Sequence, residues 1–228
     1  MQSILEFDDV SFGYMNGGKK INILDKASVA FEKGIFYTIL GPSGSGKTTA
    51  LALAGALDLP QGGRILFEGQ DIKKIGLTRY RKKNVALIFQ NYNLINYMTA
   101  LENVTMAMEL SGSHRGARKQ TAMKLLKDLG LTDDEAKRNV MKLSGGQQQR
   151  VAIARALASD AEVILADEPT GNLDIDTARE IISIFKELAH VYNKCVIVVS
   201  HSHALAEESD IVFRFEDGGL RKIDRQKS

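Results

Sequence analysis

Several residue types are scarce in this chain, and each scarcity narrows what the protein can be. The 228 residues include one cysteine, three prolines and no tryptophan. The single Cys195 cannot form a disulfide within one chain, and its place in the apolar run Cys195–Val199 predicts a buried, inert thiol. The N-terminus has no signal-peptide pattern, and no apolar run reaches the roughly 18–20 residues that span a bilayer. We therefore expect a cytoplasmic protein that reaches a membrane only through a partner.

The chain also has little net charge. It carries 30 Lys and Arg against 28 Asp and Glu, a formal net charge of +2. A composition this close to neutral gives no strong attraction to nucleic acid, and we expect no nucleic-acid partner. The length and the 44% hydrophobic content suit one soluble domain with a sizeable core.

Short apolar runs recur along the chain, as expected of strands that are buried on both faces. They are Phe36–Leu40, Val85–Phe89, Val163–Ala166 and Val196–Val199. Helices are predicted over Ala50–Leu57 and Ile175–Ala189, in the intervals between these runs. Strands of this kind joined by helices predict an α/β fold with a parallel sheet that is covered on both sides.

Two parts of the chain depart from this alternation. Ile4–Phe12 and Ile21–Phe31 are rich in apolar and β-branched residues and are separated by Gly-Gly and Lys-Lys, which predicts two antiparallel strands. From Leu94 to about Ala158 the apolar residues fall at helical spacing and no strand-like run intervenes. We interpret this second part as an inserted helical region.

A basic stretch precedes the predicted strand at Val85. It contains Lys73-Lys74 and Arg79-Tyr80-Arg81-Lys82-Lys83. Such a run is typical of a solvated helix face, and it also suits contact with lipid headgroups or with a partner. The sequence leaves both interpretations open.

A glycine-rich loop between a strand and a helix carries the clearest chemistry. It reads Gly41-Pro42-Ser43-Gly44-Ser45-Gly46-Lys47-Thr48, with Thr49 next, and matches the P-loop pattern. Its glycines let successive N–H groups point at a phosphate chain, and the following helix presents its positive end to the same anion. Lys47 adds a charge for the β- and γ-phosphates, and the Thr48 hydroxyl suits Mg²⁺. The loop predicts a nucleoside-triphosphate site.

Polar residues that follow other predicted strands add the means of hydrolysis. Asp167 and Glu168 end one strand, at the sheet edge where open α/β sheets bind ligands. Asp167 suits the Mg²⁺ shell, and Glu168 can orient or deprotonate the attacking water. Gln90 can offer its amide oxygen to the same metal, and His201 can bond a γ-phosphate oxygen.

One further string decides the family. Leu143-Ser144-Gly145-Gly146-Gln147, taken with the P-loop and the polar residues above, closely resembles the ABC ATPase family over essentially the whole chain. Spacing alone shows Ser144-Gly145-Gly146 only as a possible N-cap and phosphate nest before a helix over Gln147–Leu157. The resemblance implies that Ser144, Gly145, Gly146 and Gln147 serve ATP that is held by a second copy of the chain.

The resemblance also assigns other positions. It implies that Tyr14 stacks on adenine and that the loop Gly171-Asn172-Leu173-Asp174, through Asp174, communicates between the two sites of a dimer. It implies an N-terminal antiparallel β subdomain, a P-loop (RecA-like) core over 1–93 and 160–228, and a helical subdomain over 94–159. Residues 89–94, 101–104, 144–150 and 169–174 resemble a bacterial group that serves lipoprotein release, macrolide efflux, peptide resistance and cell-division control. Ser202 departs from the family, which often has an acid there.

Three functions follow as hypotheses. The first is an ATPase subunit that powers export, extraction or resistance through a separate transmembrane subunit, at the inner face of the cell membrane. The second is an ATPase that regulates a non-transporting membrane partner, as in cell-division or signalling complexes. The third is an ATPase that acts on DNA ends or ribosomes. It is disfavoured because this sequence shows neither the long coiled coils nor the second ATPase domain that such proteins carry.

Overall fold

The computed structural model describes residues 3–223, so the proposed domain limits at 1 and 228 lie outside the described residues. The strands are β1 (Leu5–Asn16), β2 (Lys19–Phe31), β3 (Phe36–Leu40), β4 (Gly62–Phe67), β5 (Gln70–Asp71), β6 (Val85–Ile88), β7 (Val163–Asp167), β8 (Cys195–Ser200), β9 (Ile211–Glu216) and β10 (Gly219–Ile223). The helices are α1 (Lys47–Ala54), α2 (Ile72–Ile75), α3 (Leu77–Lys83), α4 (Ala100–Ser111), α5 (Arg118–Asp128), α6 (Asp133–Ala136), α7 (Gly145–Ala158), α8 (Ile175–His190) and α9 (His203–Glu208). In residues 3–223, none of the helices combines the length and the apolar character needed to cross a membrane.

The strands form two sheets. The larger sheet has the order β10-β9-β3-β8-β7-β6, and its strands run parallel except for the edge strand β10. The smaller sheet has the order β2-β1-β4-β5 and is antiparallel. This arrangement confirms the predicted α/β class with a parallel core and an N-terminal antiparallel sheet.

Two hydrophobic clusters cover the two faces of the larger sheet. Phe36 and Val196 belong to the cluster that α4, α7 and α8 complete, whereas their neighbours Tyr37 and Ile197 belong to the cluster shared with the antiparallel sheet and α1. Consecutive strand residues point to opposite faces, so a strand that is apolar at every position buries both. The carboxyl ends of the parallel strands remain at one edge, where the polar residues of the sequence analysis follow them.

The predicted elements agree with the structure in kind and differ at some ends. The first helix begins at Lys47, not at Ala50 as predicted, because the P-loop passes directly into helical backbone. The helix after Ser144 likewise begins at Gly145, not at Gln147. Strands β4, β5, β9 and β10 were not predicted. Glycine and charged residues dilute the apolar pattern in β4 and β10, and β5 has two residues.

Candidate active site

The P-loop is a compact turn between β3 and α1. Gly44 and Gly46 have φ angles of 76° and 114°, in the left-handed region that favours glycine. A Cβ on Gly46 would lie 2.4 Å from Ile23 Cγ2, so the antiparallel sheet also packs too closely for any other residue. The backbone N–H of Ser45 donates to Pro42 O at 3.2 Å and closes the turn. The sequence therefore sets this loop by both conformation and packing.

Lys47 is buried at the centre of the loop. Its side chain is only 6% exposed. Nζ donates to Gly41 O at 2.8 Å and to Pro42 O at 2.9 Å. An ammonium has three N–H donors, so one remains for a phosphate oxygen. The two carbonyls hold the positive charge at the loop that is predicted to bind phosphate.

Oxygen donors from two elements meet beside the loop. Thr48 Oγ1 donates to Asp167 Oδ1 at 3.2 Å, which joins the start of α1 to the end of β7. Partial burial raises the pKa of Asp167, and the Thr48 hydroxyl opposes that rise. A hydroxyl and a carboxylate at this separation suit the oxygen ligands that Mg²⁺ prefers, so these residues fit the predicted metal.

Glu168 is held by a network from the neighbouring strand. Its Oε2 accepts a hydrogen bond from Ser200 Oγ at 3.0 Å, and its Oε1 lies 3.0 Å from His201 Nδ1. Its backbone N–H donates to Val199 O at 3.0 Å, and its φ of 43° is left-handed. A non-glycine residue in that region costs of order 1–3 kcal/mol, and such positions cluster at functional sites. The carboxylate is thus fixed one residue beyond Asp167.

Gln90 lies near this group but makes a different contact. Gln90 Nε2 is 3.5 Å from Asn172 Oδ1, and Asn172 Nδ2 donates to Gln90 O at 3.3 Å. A Cβ added to Gly171 would lie 3.1 Å from Gln90 Nε2. The side chain is therefore held against the loop before α8, and its role as a metal ligand stays a prediction.

The predicted adenine platform lies on β1. Tyr14 is half exposed and meets Phe12 edge-to-face, with ring centroids 5.0 Å apart. Met15 and Ile21 beside it are also exposed. An exposed ring braced by a buried one can offer a face for stacking.

The string Ser144–Gln147 begins α7. Ser144 is its N-cap, as the spacing predicted: the Ser144 hydroxyl accepts from the N–H of Gln147 at 3.3 Å, and Gln147 Oε1 accepts from the N–H of Ser144 at 2.9 Å. A Cβ on Gly145 would lie 2.9 Å from Tyr92 Oη, and one on Gly146 would lie 2.6 Å from Thr177 Cγ2. Close packing on its own chain thus requires both glycines.

Asp174 caps the next helix. Its carboxylate accepts from the N–H of Thr177 at 3.0 Å and from Thr177 Oγ1 at 2.7 Å. These bonds hold the pKa of Asp174 below its usual range. Asp174 therefore has a structural role as the N-cap of α8, and communication across a dimer stays a prediction.

Sequence reasoning missed the residues that hold the segment after Gln90. Arg155 donates to Tyr92 O at 2.9 Å and also to Asn93 O. Asn103, 1% exposed, accepts from the N–H of Ile95 at 2.8 Å. The sequence did offer a signal for these two residues, because each is a polar side chain within an otherwise apolar helical stretch. Such a side chain needs a hydrogen-bond partner when it is buried. They fix a backbone that contains Tyr97, which is 81% exposed.

Two groups of predicted residues lie close together. One group surrounds the P-loop and the ends of β7 and β8: Lys47, Thr48, Asp167, Glu168 and His201. The other group, Ser144–Gln147, lies against Tyr92 and Thr177 at the start of α7. The fold and the P-loop define an α/β ATPase of the P-loop class.

Comparison with known proteins gives the family. The family model described as ABC transporter matches residues 24–171, and the chain belongs to this family. The chain is 49% identical over 218 residues to the uncharacterized ABC transporter ATP-binding protein YclH of Bacillus subtilis (strain 168), covering 96% of each chain. It is 38% identical to the lipoprotein-releasing system ATP-binding protein LolD of Rickettsia felis, covering 96% of this chain and 97% of that one.

The fold has the same relatives. The chain resembles the dimeric structure of MJ0796, a bacterial ABC transporter cassette, with a TM-score of 0.88 and 35% identity, covering 98% of this chain and 100% of that one. A second MJ0796 structure, a dimeric post-hydrolysis state bound to ADP and Pi, gives the same values. The chain is therefore an ABC-type ATPase.

Proposed function

We propose that this chain is the ATP-hydrolysing subunit of a membrane ABC transporter that exports or extracts peptide, lipoprotein or drug-like substrates. The observation that carries the proposal is the convergence of Lys47, Thr48, Asp167 and Glu168 at one sheet edge. The similarity to LolD supports the substrate class, and the similarity to a cassette solved with ADP and Pi supports hydrolysis.

The residues around the loop divide the chemistry between them. The remaining N–H of Lys47 and the loop amides bind the phosphate oxygens and neutralise charge that develops in the transition state. Thr48, Asp167 and Gln90 would hold Mg²⁺, which supplies further charge neutralisation on the phosphates. Glu168 orients the attacking water and accepts its proton, and His201 bonds a γ-phosphate oxygen.

The site is proposed to be shared between two copies. The N-terminus of α7 offers free N–H groups and the positive end of the helix dipole, which suit a γ-phosphate from a second chain. The dimeric MJ0796 cassettes support this arrangement. Binding of two ATP molecules then favours the closed dimer by the difference in nucleotide affinity between the open and closed states, and hydrolysis releases it.

The membrane subunit is proposed to dock on Asn91–Met98. Arg155, Asn103 and Asn139 hold this segment, and Asn139 Nδ2 donates to Asn96 O at 3.0 Å. Tyr97 follows Asn96, Met141 lies two residues after Asn139, and both side chains are exposed. A fixed backbone that presents exposed tyrosine and methionine side chains suits a protein interface.

The test of the ATPase proposal is Glu168→Gln. The variant keeps Lys47 and the P-loop, so it should bind ATP with unchanged affinity, lose at least 90% of turnover, and accumulate as an ATP-bound dimer in sedimentation velocity. Glu207→Gln, an exposed acid on α9, is the matched control and should behave as the parent. Hydrolysis by Glu168→Gln at the parental rate would refute the role of Glu168, and a monomer with ATP bound would refute the shared site.

A further inference from the structure

One continuous part of the sequence contains no acid. From Ile72 to Leu101, 30 residues carry six lysines and arginines and neither aspartate nor glutamate. The remainder of the chain holds 24 basic and 28 acidic residues, a net charge of −4, against +6 in this segment. The small net charge of the whole chain therefore conceals a strong local imbalance.

The structure places these cations on the surface of two short helices. All six are exposed on α2 and α3. Arg81 donates to Ala56 O at 2.7 Å and so helps to fix α3. The other five, which we call the basic face, form no ion pair with any described residue: Lys73, Lys74, Arg79, Lys82 and Lys83.

The basic face encloses a groove of about 880 Å³. Four of its members, Lys74, Arg79, Lys82 and Lys83, line this groove. Glu68 is the acid in the lining, and Lys33 already lies 3.6 Å from its carboxylate. The positive charge of the groove is therefore not compensated by its own walls.

The basic face is attached to the end of α1 that is opposite the P-loop. Tyr80 is fully buried, and its hydroxyl donates to Ala54 O at 2.9 Å. This bond fixes α3 at the carboxyl end of α1, about 10 Å along the helix from Lys47. Leu57, just beyond that end, is 52% exposed. Among residues 3–223, no side chain of the basic face makes a hydrogen bond or an ion pair with the P-loop or with α1.

We propose that the basic face binds the anionic headgroups of a phospholipid bilayer. Five long, exposed side chains without fixed partners suit diffuse attraction to a charged plane better than the set geometry of one acidic peptide. The exposed Leu57 adds an apolar side chain that can enter the headgroup region. This proposal rests on the proposed function in one respect only, which is that the chain works beside a membrane.

The expected strength follows from the number of cations. Each Lys or Arg near an anionic surface contributes roughly a five-fold gain in binding. Replacing two of them should weaken binding to anionic vesicles about 25-fold. Raising the salt concentration should weaken the binding of the parent more than that of the double variant, because screening acts on each charge.

The experiment is co-sedimentation of the isolated chain with vesicles. The vesicles are phosphatidylcholine alone, or phosphatidylcholine with about one third phosphatidylglycerol. Lys74→Ala/Lys82→Ala is compared with Lys26→Ala/Lys222→Ala, which removes two exposed lysines that are unpaired among the described residues and lie outside the basic face. The parent and the control should bind the anionic vesicles equally, and the basic-face variant should lose about 25-fold.

Three outcomes would overturn the inference: equal losses in the two double variants, equal binding to neutral vesicles, or binding to poly-glutamate without binding to vesicles. The last would assign the basic face to an acidic protein partner. ATP hydrolysis by each variant is measured in parallel and should be unchanged. Because the vesicle assay uses no transporter, its failure leaves the ATPase proposal standing.

Discussion

The hydrogen bond between Ser200 and Glu168 allows a sharp test of how the catalytic carboxylate is positioned. Ser200 ends β8 and is 1% exposed. Its hydroxyl donates to Glu168 Oε2 at 3.0 Å and accepts from the N–H of Ser202 at 3.1 Å. Ser200→Ala removes both bonds and leaves Lys47, Thr48 and Asp167 untouched.

The size of the effect follows from the bond to a charged acceptor. Such hydrogen bonds contribute about 1.5–3 kcal/mol. If this bond holds Glu168 in its transition-state orientation, kcat should fall about ten- to hundred-fold. Nucleotide affinity should stay within about two-fold, because the P-loop contacts remain. The loss of the partner of Ser202 N–H should also lower the free energy of unfolding by about 1 kcal/mol.

Two variants separate positioning from a general disturbance of the sheet. Ser200→Thr keeps a hydroxyl and should recover at least part of kcat. Thr38→Val on β3 alters another fully buried hydroxyl, one without a hydrogen-bond partner among the described residues, and should leave kcat and stability nearly unchanged. Steady-state phosphate release gives kcat, and titration with a fluorescent nucleotide gives the affinity.

Turnover of a folded Ser200→Ala at the parental rate would show that Ser200 does not position Glu168. An equal loss of activity in Thr38→Val would show that the effect comes from the packing of the sheet. A change confined to nucleotide affinity would place the hydroxyl in substrate binding instead.

Two further predictions concern α7 and the proposed docking segment. Gly146→Ala should destabilise the fold by about 1–3 kcal/mol, because the new Cβ would lie 2.6 Å from Thr177 Cγ2. Adding Thr177→Ser removes that methyl group and should restore thermal stability. A double variant as unstable as the single one would contradict this explanation. Tyr97→Cys labelled with a maleimide–benzophenone should photocrosslink to a co-purified membrane subunit, because benzophenone inserts into C–H bonds and needs no thiol on the partner. Tyr192→Cys, a half-exposed control, should not crosslink, and Cys195 is fully buried and should not be labelled. Absence of the Tyr97→Cys crosslink would remove the docking proposal.

The sequence predicted the elements whose signal is local. Phe36–Leu40 matches β3 at both ends, because an apolar strand bounded by a charged segment and by Gly41-Pro42 has no competing pattern. Ser144 was predicted as an N-cap because serine is favoured directly before a helix. In the structure its hydroxyl accepts from the N–H of Gln147, three residues on. Cys195 is fully buried as expected, and burial raises the pKa of its thiol.

Contacts between distant residues were beyond the sequence. Glu168 and Ser200 are 32 positions apart, and only the pairing of β7 with β8 brings them together. Gln90 turns toward Asn172, 82 positions away, for a similar reason. The starts of α1 and α7 were misplaced because glycine normally weakens a helix, whereas here Gly46 is the N-cap of α1 and Gly145 is the first residue of α7.

The two partners of His201 are both hydrogen-bond acceptors, which limits how many of them the ring can bond at once. His201 Nδ1 lies 3.0 Å from the carboxylate of Glu168, and the proposed second partner is a γ-phosphate oxygen. Both partners are acceptors, so a ring that bonds them together needs a hydrogen on each nitrogen. A neutral ring can donate to only one of them.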